Sequence, residues 1–166
     1  LMAPKRLEAL VLMDTYVGVE PEPTRQYYFS LFDKIEASGS IPEPLLDIVV
    51  PIFFRPGIDP QSPLYQQFRA TLAALPTDRL RDSIVPLGRI IFGRRDTLEF
   101  AEQFTLPCLI MVGVEDKARS VLESYLMSDA INGSQLVHIP NAGHISSLEQ
   151  AEFVNQQLLA FLSQYA

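Results

Sequence analysis

The chain has 166 residues, of which 48% are hydrophobic and 20% charged, enough apolar side chain to bury the core of one globular domain and too much for a disordered segment. Thirteen Lys and Arg against twenty Asp and Glu give a formal charge of −7, so the chain offers no basic surface for nucleic acid. No apolar run reaches the ~18 residues of a membrane span, the start shows no cleavable signal pattern, and one cysteine, Cys108, cannot close an internal disulfide; a soluble protein of the reducing cytoplasm is expected.

In chain order, the start Leu1-Met2-Ala3-Pro4 leads us to expect that residues precede Leu1. The run 8–14 (Glu-Ala-Leu-Val-Leu-Met-Asp) is apolar and ends on a polar residue, as in a parallel strand buried on both faces. Val19-Glu-Pro-Glu-Pro-Thr24 reads as a linker because its prolines disfavour helix and central strand. Residues 24–104 show helical patterns and no strand. Thr24 is placed to cap a helix through Tyr27, Tyr28, Leu31, Phe32 and Ile35, stopped at Gly39. Apolar residues from Leu45 to Phe54 predict a helix kinked near Pro51. A third helix is predicted over 62–75, with Ser62 as cap and Pro63 first, and a fourth over 77–92, bent at Pro86.

Strand patterns return at 109–114 and 135–139, with a helix over 121–130 between them and a closing helix over 148–165. Cys108, in the apolar run Pro107-Cys108-Leu109-Ile110-Met111-Val112, reads as a small core residue. The order strand, helical insertion, strand, helix, strand, helix implies a parallel sheet covered by helices. We assign residues 1–17 and 105–166 to a partial α/β core and 18–104 to the inserted helical region.

In an open α/β sheet the site lies beyond the carboxyl ends of the strands. Two polar loops occupy that position: Gly113-Val114-Glu115-Asp116-Lys117 and Pro140-Asn141-Ala142-Gly143-His144. Asp116 and His144 stand 28 positions apart, and one intervening helix returns the chain to the same edge. A carboxylate beside an imidazole fixes the ring's tautomer and stabilises the imidazolium, which makes a general base. Spacing alone leaves open that the two are a surface Asp and a loop His with no partnership.

These segments resemble α/β-hydrolases. Residues 107–116 resemble the seventh strand and acid loop, Leu136-Val137-His138-Ile139-Pro140-Asn141-Ala142-Gly143-His144 the eighth strand and histidine loop, and Leu148-Glu149-Gln150 with Phe153-Val154-Asn155 the closing helix. Residues 4–14 look like the approach to the sixth strand, so the chain looks like the C-terminal part of that parallel sheet, with a helical cap between its first and second strands. The resemblance implies that His144 is the base and Asp116 the acid that orients it. Asp14, at the end of the first strand, is a rival acid. Ser120 and Ala151 stand where the family often has proline. No serine here lies in the G-x-S-x-G elbow that holds the family's nucleophile, and the resemblance puts that elbow upstream of Leu1. The fragment alone is therefore expected to be inactive.

The implied parent reaction is hydrolysis of a carboxylic ester or lactone through a Ser-His-Asp triad. Hydrolysis of a carbon–carbon bond on the same scaffold, a perhydrolase-like side activity, and a non-catalytic binding module are alternatives. Tyr27, Tyr28, Phe29, Phe32, Phe53, Phe54, Tyr65 and Phe68 are mostly expected in the cap core, with some left to line a pocket for an apolar or aromatic substrate. The strand at 8–14 would be a bare sheet edge, to be covered by the missing N-terminal half or a second copy of the chain. His138 reads as structural, and Arg79, Arg81, Arg94, Arg95 and Asp96 read as solvated helix charges. No metal-ligand spacing and no phosphate-cradling loop is present, so no metal, nucleotide or other cofactor is expected.

Overall fold

The structure, a computed structural model, describes residues 6–165, so the expectations resting on Leu1 to Lys5 lie outside the described residues. Three parallel strands, β1 (Leu10–Met13), β2 (Cys108–Gly113) and β3 (Gln135–Ile139), form a sheet in that order. Leu10 pairs with Cys108 and Leu109 with Gln135, in unbroken register to Met13–Met111 and Gly113–Ile139. The strand runs expected from the sequence are recovered: 8–14 shortens to Leu10–Met13, 109–114 shifts by one residue to Cys108–Gly113, and 135–139 is unchanged.

The sequence of β2, Cys-Leu-Ile-Met-Val-Gly, makes it the central strand: all six residues are buried. Successive side chains point to opposite faces of a strand, so the run feeds two cores. Leu109 and Met111 pack with Ile139, Ala142, Val154 and Phe161 on one face. Cys108 and Ile110 pack with Ala101, Met127 and Ile131 on the other. Helix α7 (Val121–Ala130) supplies Met127 to the second core, and α9 (Ala151–Leu162) supplies Val154 and Phe161 to the first. Strand β1, by contrast, is only half-buried along its whole length.

The described residues fall into two compact units. One comprises residues 6–17, 52–57 and 97–165 and holds the sheet; the other comprises 18–51 and 58–96 and is helical. Segment 52–57, expected inside the insertion, thus packs with the sheet unit. The two ends of the insertion are joined to each other: Thr97 donates to the Val17 carbonyl through its N–H (3.2 Å) and its hydroxyl (2.5 Å).

The helical unit contains α1 (Glu22–Ser38), the greater part of α2 (Glu43–Phe53), α3 (Pro63–Ala73), α4 (Thr77–Arg79) and α5 (Val85–Gly93). Helix α1 starts three residues earlier than expected, with Pro21 and not Thr24 at its N-cap. Proline in the first turn removes only an N–H that has no helical partner, so Pro23 is tolerated inside the helix. The fourth predicted helix, expected to bend at Pro86, is continuous through a π turn at Leu80–Ile84, where Val85 N–H donates to Leu80 O and joins α4 to α5. Such a turn re-routes the hydrogen bonds that proline cannot make. The Tyr28 and Phe92 rings stack at 3.8 Å, and Arg89 ties α5 to Asp33 (2.6 Å) and Glu36 (3.2 Å) of α1. Arg94 corrects the reading of the basic residues as solvated. It donates to Gly18 O (2.8 Å) and to the buried Glu20 carboxylate (3.0 Å).

In the sheet unit, a short helix α6 (Leu98–Ala101) precedes β2, and the closing helix divides into α8 (Ser146–Glu149) and α9. Gln150 leaves the helical region (φ −133°, ψ 49°), so the chain breaks there although Ala151 stands where the family often has proline. Among the described residues no helix is long and apolar enough to cross a membrane.

Two glycines set how closely the loops beyond β2 and β3 approach. A Cβ on Gly113 would lie 2.3 Å from Gly143 O and 2.4 Å from Ala142 O. One on Gly143 would lie 2.4 Å from both Arg55 N and the Phe54 carbonyl carbon. The histidine loop is therefore held between the end of β2 and segment 54–55, with backbone against backbone on both sides.

Two outcomes are expected. Gly113→Ala should lower unfolding stability by about 1–3 kcal/mol, since neither carbonyl can move aside as a side chain would, measured by denaturant titration. Burial pushes the Cys108 thiol up to about 11, so at pH 8 a thiol reagent should label the folded chain far more slowly than the same chain in denaturant. Equal rates would contradict the buried placement of β2.

Candidate active site

Asp116 and His144 converge at the carboxyl end of the sheet. His144 Nδ1 lies 2.9 Å from Asp116 Oδ2; the carboxylate is fully buried and the imidazole about one quarter exposed. The other oxygen, Asp116 Oδ1, accepts from the backbone N–H groups of Ala118 (2.7 Å) and Arg119 (2.9 Å). With those donors in place, Asp116 is held as an acceptor. Nδ1 then carries the proton in the neutral ring, and Nε2 is the basic nitrogen.

The local sequence dictates this geometry. After Gly113 the chain turns, with Asp116 N–H donating to Gly113 O (3.1 Å), and then enters α7. Ser120 caps that helix in a reciprocal box: Glu123 N–H donates to Ser120 Oγ (3.3 Å) and Ser120 N–H to Glu123 Oε2 (2.6 Å). The box takes over the role of proline at position 120 in fixing the start of α7. The pattern Ser-x-x-Glu was visible in the sequence and predicts this cap.

The histidine loop is fastened from three sides. Val114 N–H donates to Ile139 O (3.1 Å) and Glu115 N–H to Ala142 O (3.0 Å), which join it to the acid loop. Ile145 N–H donates to Phe53 O (2.9 Å), and the Phe53 ring stands 5.7 Å from the imidazole. Glu149, whose side chain is 2% exposed, accepts from Gly143 N–H through Oε2 (2.6 Å) and from Arg55 N–H (3.2 Å), with Arg55 Nε 3.8 Å away. Glu149 was read only as part of a motif, and nothing in the sequence connects it to Arg55, which lies 94 positions earlier.

Asp14 stands beside the pair without bonding the imidazole. Its Oδ1 accepts from Gly113 N–H (3.1 Å) and its Oδ2 from Ser146 Oγ (2.6 Å) and N–H (3.3 Å). Burial holds its pKa above the usual carboxylate value, opposed by the bonds from Ser146 and Gly113; the Asp116 charge adds to the rise and His144 offsets it. His138 sits on β3 opposite Val112, its ring 5.4 Å from Tyr125 of α7, and takes no part in this cluster.

No family model matches the sequence, and no curated protein matches it. Solved structures do match. A thermophilic esterase from Thermogutta terrifontis is 22% identical with a TM-score of 0.84, covering 98% of this chain and 58% of its own. The enol-lactonase from Burkholderia xenovorans LB400 is 20% identical with a TM-score of 0.77, covering 95% of this chain and 57% of its own. An α/β-hydrolase enzyme from a Medee basin deep-sea metagenome library is 18% identical with a TM-score of 0.68, covering 98% and 58%. The chain thus spans less than two thirds of the length of the structures it matches, and its fold is the C-terminal part of the α/β-hydrolase fold.

Proposed function

We propose that this chain supplies the base and the acid of a Ser-His-Asp triad in a hydrolase of carboxylic esters or lactones, with the serine contributed by chain outside these 166 residues. The observation that carries the reading is the 2.9 Å bond from His144 Nδ1 to a buried Asp116 whose other oxygen is already occupied by two N–H donors. Structures of esterases and an enol-lactonase matching nearly the whole chain support it.

In this reading His144 Nε2 takes the proton of the serine hydroxyl as the oxygen attacks the ester carbonyl, then gives it to the departing alkoxide. Asp116 stabilises the imidazolium formed in between. A water deprotonated by the same nitrogen then releases the acid and regenerates the serine. We read the helical unit, residues 18–51 and 58–96, as the cap that this fold inserts. Of the aromatic residues, Tyr65 and Phe54 are buried and Tyr28 is stacked on Phe92. Phe53, whose ring adjoins that of His144, is the first to examine.

The reading extends to a partner. Leu10, Val11, Leu12 and Met13 are half-buried at one edge of the sheet, and the matched structures are longer by roughly the same share. We assign the cover of that edge to the N-terminal half of the same fold, bearing the serine elbow. The single buried Cys108 favours a reducing, cytoplasmic setting for the assembled protein.

Two experiments test this. In the full-length protein, His144→Ala and Asp116→Asn should each lower kcat/KM for a p-nitrophenyl ester by about 10,000-fold. An amide at 116 keeps the bonds to Ala118 and Arg119 but turns an N–H toward Nδ1, which moves the ring proton to Nε2 and removes the base. Turnover at the unsubstituted level would end the assignment. The chain alone should hydrolyse no ester and should associate with itself, or with the N-terminal half, by light scattering. A compact monomer indifferent to that half would refute the edge assignment.

A further inference from the structure

Asp14 is a partly buried carboxylate that the proposed chemistry does not use. It ends β1 in the left-handed region (φ 49°), where Asp and Asn are tolerated better than other side-chain-bearing residues. Its own N–H donates to Met111 O (2.9 Å), so the residue is locked to the neighbouring strand. From that corner the carboxylate reaches both halves of the site. Oδ1 holds the N–H of Gly113, three positions before Asp116. Oδ2 holds the hydroxyl and N–H of Ser146, two positions after His144, and Ser146 is fully buried.

We propose that Asp14 is a positioning residue for the Asp116–His144 pair, bracing the acid loop through Gly113 and the histidine loop through Ser146 so that the two cannot shift apart. The proposal deepens the hydrolase reading and rests on it. One carboxylate accepts three hydrogen bonds here, and a side chain with one acceptor oxygen cannot replace it. An amide in its place would keep one oxygen and turn an N–H toward a backbone N–H on the other side. The brace is short and buried, so its loss should be felt as misplacement of the imidazole rather than as loss of the fold.

The test is a spectroscopic signature of His144 that does not depend on turnover. In the chain labelled with 15N-histidine, the Nδ1 proton held by Asp116 should exchange slowly with water. Asp14→Asn and Ser146→Ala should each accelerate that exchange severalfold, with far-UV circular dichroism unchanged. The double variant should be no faster than Asp14→Asn, because both changes cut one connection. In the full-length protein, Asp14→Asn should lower kcat by roughly 10- to 100-fold with KM nearly unchanged. Unaltered Nδ1 exchange in a folded Asp14→Asn chain would overturn the proposal. If that variant does not fold, unaltered exchange in Ser146→Ala would overturn it equally. Absence of ester turnover by the unsubstituted full-length protein would defeat the hydrolase reading, while the imidazole signal would still decide the role of Asp14.

Discussion

The site depends on how closely two backbone segments approach. The end of β2 and the loop after β3 touch main chain to main chain at Gly113 and Ala142–Gly143, with no room for a single added methyl. From that contact follow the bonds of Val114 and Glu115 to the opposite loop, and from those the 2.9 Å separation of Nδ1 and Oδ2. Backbone contacts of this kind do not adjust by changing rotamers, so the geometry is set by the sheet. A general base benefits from such rigidity, because effective proton transfer requires the imidazole to be in place before substrate arrives.

Three carboxylates, Asp14, Asp116 and Glu149, hold the acid and histidine loops, and all three accept bonds from main-chain N–H groups. Burying an ionised carboxylate is costly unless donors replace its lost water. Fixed amides can do this without losing side-chain entropy, which explains how several negative groups are accommodated here. They also serve different ends: only Asp116 meets the ring, Glu149 secures the residue before it, and Asp14 the stretch after it.

Most of the architecture could be read from the sequence because the signals were local. The apolar run at 107–112 reads as a strand, and it is one, whereas burial on both faces was expected of 8–14 and is found in β2 instead, β1 being half-buried. The helix over 121–130 was bounded by Ser120 and its partner Glu123. Strand order allowed Asp116 and His144 to meet, since a single crossover returns the chain to the same end of the sheet, but their pairing was implied only by the resemblance. What could not be read was long-range. The acceptor role of Glu149 depends on Arg55, and that of Asp14 on Ser146, across separations of 94 and 132 positions that no periodicity encodes. Local expectation failed at Pro23, where the stretch read as a linker enters a helix with proline in its first turn.

Because Val17 and Thr97 are bonded to each other, the 79 residues between them enter and leave through a single doorway, and their length is invisible to the register of β1 against β2. That would make the insertion freely exchangeable in evolution were it not for one touchdown, where Phe53–Arg55 returns to grip the histidine loop. Any replacement for this stretch must therefore do more than close a gap. It must bring one helix end back to the same three amino acids' worth of space, or the histidine loop loses one of its moorings.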